Sequence, residues 1–154
     1  MKKNISGILF GILAGAAAAG KIIELRSKKS NDQAKKMEQY YHILTRWLEL
    51  RQEDRTLYSY FKKMGYSKVG IYGMRELGQR LYYELKDSDI EMFLMDRACE
   101  SISFEYDITS PVDGIPCVDV IIVTAAYYYD SIRKELEQKV KCPIVSIADV
   151  LSAV

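Results

Sequence analysis

Histidine is almost absent from this sequence: 154 residues contain one, His42. It stands beside Tyr41 in a helix-like stretch, where a lone histidine is ordinarily a surface or structural residue, so no histidine acid–base site is expected. Cysteine is scarce and scattered, at Cys99, Cys117 and Cys142. An odd number without a CxxC spacing indicates neither a disulfide framework nor a zinc site and fits buried thiols in a reducing compartment. Excess charge of one sign is also missing, since 22 basic and 21 acidic residues leave a net charge of +1. No strong field therefore points to nucleic acid. There is no P-loop, no nucleophile elbow and no metal-ligand cluster. A Tyr-x-x-x-Lys pair, in which lysine lowers the tyrosine pKa, is not offered by the tyrosine run, because Tyr128 leads to Ile132 and Tyr129 to Arg133. Asp107, Asp113 and Asp119 sit among turn residues and read as solvated or capping. No catalytic residue and no metal ligand is assigned.

What is present begins with an uncharged run. Residues Asn4 to Gly20, 17 in number, carry no charge and follow Lys2 and Lys3. Counting Ile5 through Ile23, with Lys21 snorkelling, gives 19 residues, about 28 Å of helix against a hydrocarbon core of roughly 30 Å. Six strongly apolar residues contribute roughly −3 kcal/mol to insertion, a marginal sum. Gly7, Gly11 and Gly15 repeat at four residues and Ala19 continues the row. Two overlapping GxxxG patterns on one face favour close helix association in lipid, and the row resembles glycine-zipper membrane anchors of small bacterial envelope proteins. A cleaved secretory signal with an A-x-A site and a soluble alanine-rich helix are the two other readings. Six basic residues follow the run (Lys21, Arg26, Lys28, Lys29, Lys35, Lys36) against two before it, which places the C-terminal side in the cytoplasm by the positive-inside rule.

"ELRSKKSNDQAKK" reads as a solvated linker or frayed helix, with an N-cap cluster at Ser30, Asn31 and Asp32. From there Met37, Tyr40/Tyr41, Leu44 and Trp47/Leu48 recur at helical steps, predicting one amphipathic helix over about Asp32–Gln52. Its stripe suits either packing on the following domain or a partner or membrane surface. A short helix with Leu57, Tyr60 and Phe61 ends at Gly65.

From Lys68 onward β-like and helical runs alternate. "KVGIY" is a strand, and Leu77, Leu81 and Leu85 mark a helix face. "IEMFLM" is a second strand, "ISFEY" a weak one and "VDVIIVT" a buried one, β-branched and nearly all apolar. "YDSIRKELEQKV" is a helix with Ile132, Leu136 and Val140 on one face, "CPIVSI" the last strand, and "ADVLSAV" a closing helix. The fold class expected is α/β: a small parallel sheet of about four or five strands, helices on both faces and right-handed crossovers. It is preceded by an N-terminal transmembrane helix and an amphipathic helix. The expected divisions are 1–23 (anchor), 24–64 (charged linker and helices) and 65–154 (α/β domain).

"KVGIYGMRELGQRLYYEL", the acidic "MDR" at Met95–Arg97, "VDVIIVT" and "PIVSIADVL" together resemble a Rossmann-like family, over roughly Leu57–Val154. Such domains are accessory units of bacterial surface-polysaccharide and sugar-modification proteins, often described as nucleoside-diphosphate-sugar epimerase-like. The resemblance implies a nucleotide or nucleotide-sugar site, with NAD(P) or a nucleotide sugar as the ligand and glycan-biosynthesis enzymes as partners. In a full G-x-G-x-x-G turn the first glycine permits the turn, the second admits the pyrophosphate and the third allows close helix–strand packing. Gly73 and Gly78 keep the first and third roles, while Arg75 stands in the middle. Its Cβ crowds a pyrophosphate, although its guanidinium suits a bidentate phosphate contact. Met74 contributes a backbone N–H near the helix start. Asp96, 23 residues after Gly73, is placed for ribose hydroxyls. Thr124 and Tyr127 lie beyond the buried strand, for a phosphate or base and for ring stacking. The competing reading is a degenerate scaffold serving assembly, and a third is an epimerase or reductase completed by a partner chain.

An anchored chain is expected in the membrane fraction, resistant to a carbonate wash and released by detergent. Recovery in the soluble fraction, or as a shortened secreted form, overturns the anchor.

Overall fold

The computed structural model describes the backbone of residues 3–154 and the side chains of Lys21 and residues 23–154. The side chains of the uncharged run, with its Gly7, Gly11 and Gly15 row, lie outside the described residues, as does the anchor reading that rests on them. Among the described residues no helix is long and apolar enough to cross a membrane. The chain divides into two compact units, Met1–Glu38 and Gln39–Val154.

Helix α1 runs Lys3–Gln52. No helix begins at Ser30–Asp32, contrary to the capping cluster. Nothing from Lys21 to Gln52 is a glycine or proline, so the helix passes through residues that elsewhere would cap it.

In the second unit α2 is Leu57–Met64, β1 Lys68–Tyr72, α3 Glu76–Leu85, β2 Glu91–Met95, β3 Val120–Val123, α4 Tyr129–Leu136, β4 Ile144–Ser146 and α5 Ile147–Ala153. The four strands form one parallel sheet in the order β2-β1-β3-β4. Alternation along each strand feeds two cores. Val69, Ile71, Leu94, Val120 and Ile122 face the end of α1, α2, α3 and α5, whereas Tyr72, Met95, Ile121 and Val123 face α4. Helices thus cover both faces, as a parallel sheet requires. The weak strand expected at "ISFEY" does not form. Phe104 and Tyr106 instead lay their rings against Tyr82, 5.2 and 5.0 Å away, and the next segment reaches the sheet only at Thr109, opposite Met95.

The apolar stripe expected on one face of α1 is two stripes. Ile43, Trp47 and Leu50 are buried in the core with Tyr40 packed beside them. Tyr41, Leu44 and Leu48 remain exposed, as does Met37. Adjacent residues on a helix point about 100° apart, so Tyr40/Tyr41 and Trp47/Leu48 cannot both face one core.

Glu84 of α3 ties the helical layer together. It accepts from the Trp47 indole at 2.5 Å and from the Leu57 backbone N–H at 2.6 Å. Charged hydrogen bonds contribute about 1.5–3 kcal/mol each. Glu84→Ala is expected to cost about 3 kcal/mol, with Glu84→Gln losing roughly half of that. Urea unfolding followed by the single tryptophan and by circular dichroism measures it; an unchanged midpoint in Glu84→Ala refutes the role.

Candidate functional site

Strand order decides which loops meet. Because β1 lies between β2 and β3, the residues leaving their C-terminal ends converge at the point where successive connections depart to opposite sides of the sheet, the usual ligand crevice of open α/β sheets. These are the Gly73–Arg75 turn, Asp96 and Thr124.

Gly73 has φ +103°, in the region that favours glycine. A Cβ there would stand 2.9 Å from Thr124 Oγ1 and 3.2 Å from the Ala125 nitrogen, so the residues just after β3 occupy the space the glycine leaves. The Gly73 N–H donates to the Met95 carbonyl at 2.8 Å. The buried Thr124 hydroxyl lies within hydrogen-bonding distance of the Tyr72 carbonyl (3.2 Å) and of the Gly73 carbonyl. Gly78 packs over the same carbonyl, and a Cβ on Gly78 would collide with the Gly73 oxygen. Gly73, Gly78 and Thr124 therefore build one strand–turn–helix joint.

Met74 has its side chain fully buried in the core beneath α3. Its N–H donates to Asp96 Oδ2 at 2.8 Å, and Asp96 Oδ1 accepts from the Ala98 N–H at 2.8 Å. The carboxylate expected to meet a ribose thus clasps the turn to β2. Each of its oxygens retains a second lone pair. The Asp96 backbone N–H donates to Thr109 at 3.1 Å, joining the 96–109 segment to the clasp.

Arg75 is exposed at the mouth, as the residue preceding α3, and no side chain caps that helix start. Glu76 beside it accepts from the Tyr40 hydroxyl at 3.4 Å. Burial first, then the Glu76 carboxylate, pushes the Tyr40 phenol up to about 12, so it stays a neutral donor. Tyr127 is half-buried in a short 3₁₀ turn, its ring edge-on to Tyr128 at 5.2 Å. Of the tyrosine run, Tyr129 is anchored by a hydroxyl bond to the Ile144 carbonyl at 2.9 Å.

The structure brings together Gly73, Met74, Gly78, Asp96 and Thr124, with Arg75 at the rim. It also shows partnerships that sequence reasoning did not give. Asp119 accepts from the Ser67 and Lys68 N–H groups at 2.8 Å each, pinning the entry to β1. Those backbone bonds hold its carboxyl below the usual carboxylate range. Arg97, next to Asp96, pairs with Glu135 of α4. Neither partnership has a local signal, since the residues joined lie tens of positions apart. Among the described residues no group of three His, Cys, Asp or Glu side chains could hold a metal ion. Comparisons with known protein families, curated proteins and solved structures found no match.

Gly78→Ala tests the joint. Helix propensity favours alanine by about 1 kcal/mol, but overpacking against a backbone carbonyl costs about 3 kcal/mol. The collision should win, lowering the urea midpoint; a midpoint equal to or above the parent's shows that the joint has room.

Proposed function

We propose that this chain is a non-catalytic module of Rossmann-like architecture, tethered to a membrane by residues 1–23, whose β1–α3 turn serves as a scaffold. The observation that carries this reading is the internal use of the crevice. The Met74 N–H that a pyrophosphate would approach is held by Asp96, and Arg75 stands where the glycine that admits a pyrophosphate would be. A group whose hydrogen bonds are already made inside the protein must break them to take a ligand. The module then acts through its surfaces, as an assembly or regulatory partner of polysaccharide- or glycan-biosynthesis enzymes. The resemblance of Leu57–Val154 to accessory domains of such systems supports that setting. The Gly7, Gly11, Gly15 row supports self-association in the membrane.

A second reading is favoured by one observation: Arg75 is exposed beside a helix start that no side chain caps. A nucleotide or nucleotide sugar would set its phosphate against Arg75 and the first N–H groups of α3. Asp96 would meet the ribose with its remaining lone pairs, and Thr124 and Tyr127 would flank the base or sugar.

Calorimetric titration of residues 39–154 with NAD, NADP and UDP- or CDP-sugars separates the two. The scaffold reading expects no binding at millimolar ligand. A dissociation constant below about 1 mM, roughly 4 kcal/mol of binding, replaces it with the second reading. In that event Arg75→Gly abolishes binding where Arg75 is the phosphate contact and strengthens it where Arg75 obstructs.

A further inference from the structure

The side chains described in α1 between Lys21 and Lys29 carry an uneven charge pattern. From Lys21 to Lys29 there are four cations (Lys21, Arg26, Lys28, Lys29) and one carboxylate, Glu24. All four cations are exposed, and none appears among the ion pairs of the described residues. We propose that Lys21, Arg26, Lys28 and Lys29 form a surface that engages the anionic headgroups of a lipid bilayer. This rests on the reading of residues 1–23 as an anchor.

Distance along the helix selects these four. With the apolar run ending at Ile23 and a rise of about 1.5 Å per residue, Arg26, Lys28 and Lys29 stand about 4, 8 and 9 Å beyond it. Lys21 lies within the run and snorkels to the same level. The Debye length is about 8–10 Å at 0.1–0.15 M salt, so all four feel a charged surface. Lys35 and Lys36 stand about 18 and 20 Å out, two Debye lengths away, where the surface is largely screened. A cation near an anionic leaflet strengthens adsorption about fivefold. Four cations against one carboxylate therefore give a clear preference for anionic over zwitterionic lipid. Nucleic acid is the less favoured polyanion, because the whole chain's net charge is only +1.

The full chain is reconstituted in phosphatidylcholine bilayers. Trace spin-labelled phosphatidylglycerol or phosphatidylcholine reports the lipid immobilised against the protein. At 0.1 M salt the glycerol lipid should be preferred by about fivefold, and the preference should fall towards unity at 1 M salt. The double variant Lys28→Gln, Lys29→Gln should lose at least half of it, and Lys35→Gln should keep it. Immobilised lipid without a headgroup preference overturns this proposal and leaves the anchor standing. Equal losses in the two variants overturn it as well, because the cations would then act regardless of their distance from the surface. No immobilised lipid of either kind overturns the anchor and the proposal together.

Discussion

A parallel sheet has two apolar faces, and each must be kept from water. This chain covers one face with α4 and flanking loop residues such as Ile115 and Val140, and the other with α2, α3, α5 and the end of α1. That need turns the last turns of α1 from a surface helix into a core element, with Ile43, Trp47 and Leu50 buried. Burying side chains of this size contributes about 1.5–3 kcal/mol each, so the α/β unit depends on residues that precede its first strand by 18 to 25 positions.

Polar staples then hold the layers in register. Glu84 joins α3 to α1 and α2, Asp119 joins the start of β3 to the start of β1, and Asp96 joins the end of β2 to the β1–α3 turn. Each carboxylate accepts at least one backbone N–H that would otherwise go unpaired inside the fold or at its rim. Among the described residues every buried side-chain nitrogen and oxygen has a partner. The same economy explains the candidate site. A dinucleotide turn leaves N–H groups and an acidic side chain waiting for a ligand, whereas here Met74 and Asp96 satisfy one another. Arg75 stays outside that pairing, exposed at the mouth of the crevice.

The strands were legible because buried parallel strands announce themselves as short, nearly continuous apolar runs. "VDVIIVT" contains β3 and "IEMFLM" contains β2 with one residue to spare. The amphipathic helix was legible as a helix but not in its facing, because Tyr40/Tyr41 and Trp47/Leu48 offer two stripes and only packing selects between them. "ISFEY" has strand composition, yet its aromatic rings find Tyr82 rather than a strand edge. β-Propensity measures fit to a half-buried surface, and a helix can supply that surface as well as a strand can.

Sequence alone determined the alternation of strands and helices from Lys68 onward and the glycines that make the first turn. Those properties are local, fixed by periodicity, by φ and by residue type. Only the tertiary structure decided the strand order, which stripe of α1 is buried, and that Asp96 and Thr124 spend their hydrogen bonds on Met74, Gly73 and their neighbours. Such partnerships join residues 22 to 52 positions apart, and spacing in the chain carries no information about them until the sheet brings its strand ends together.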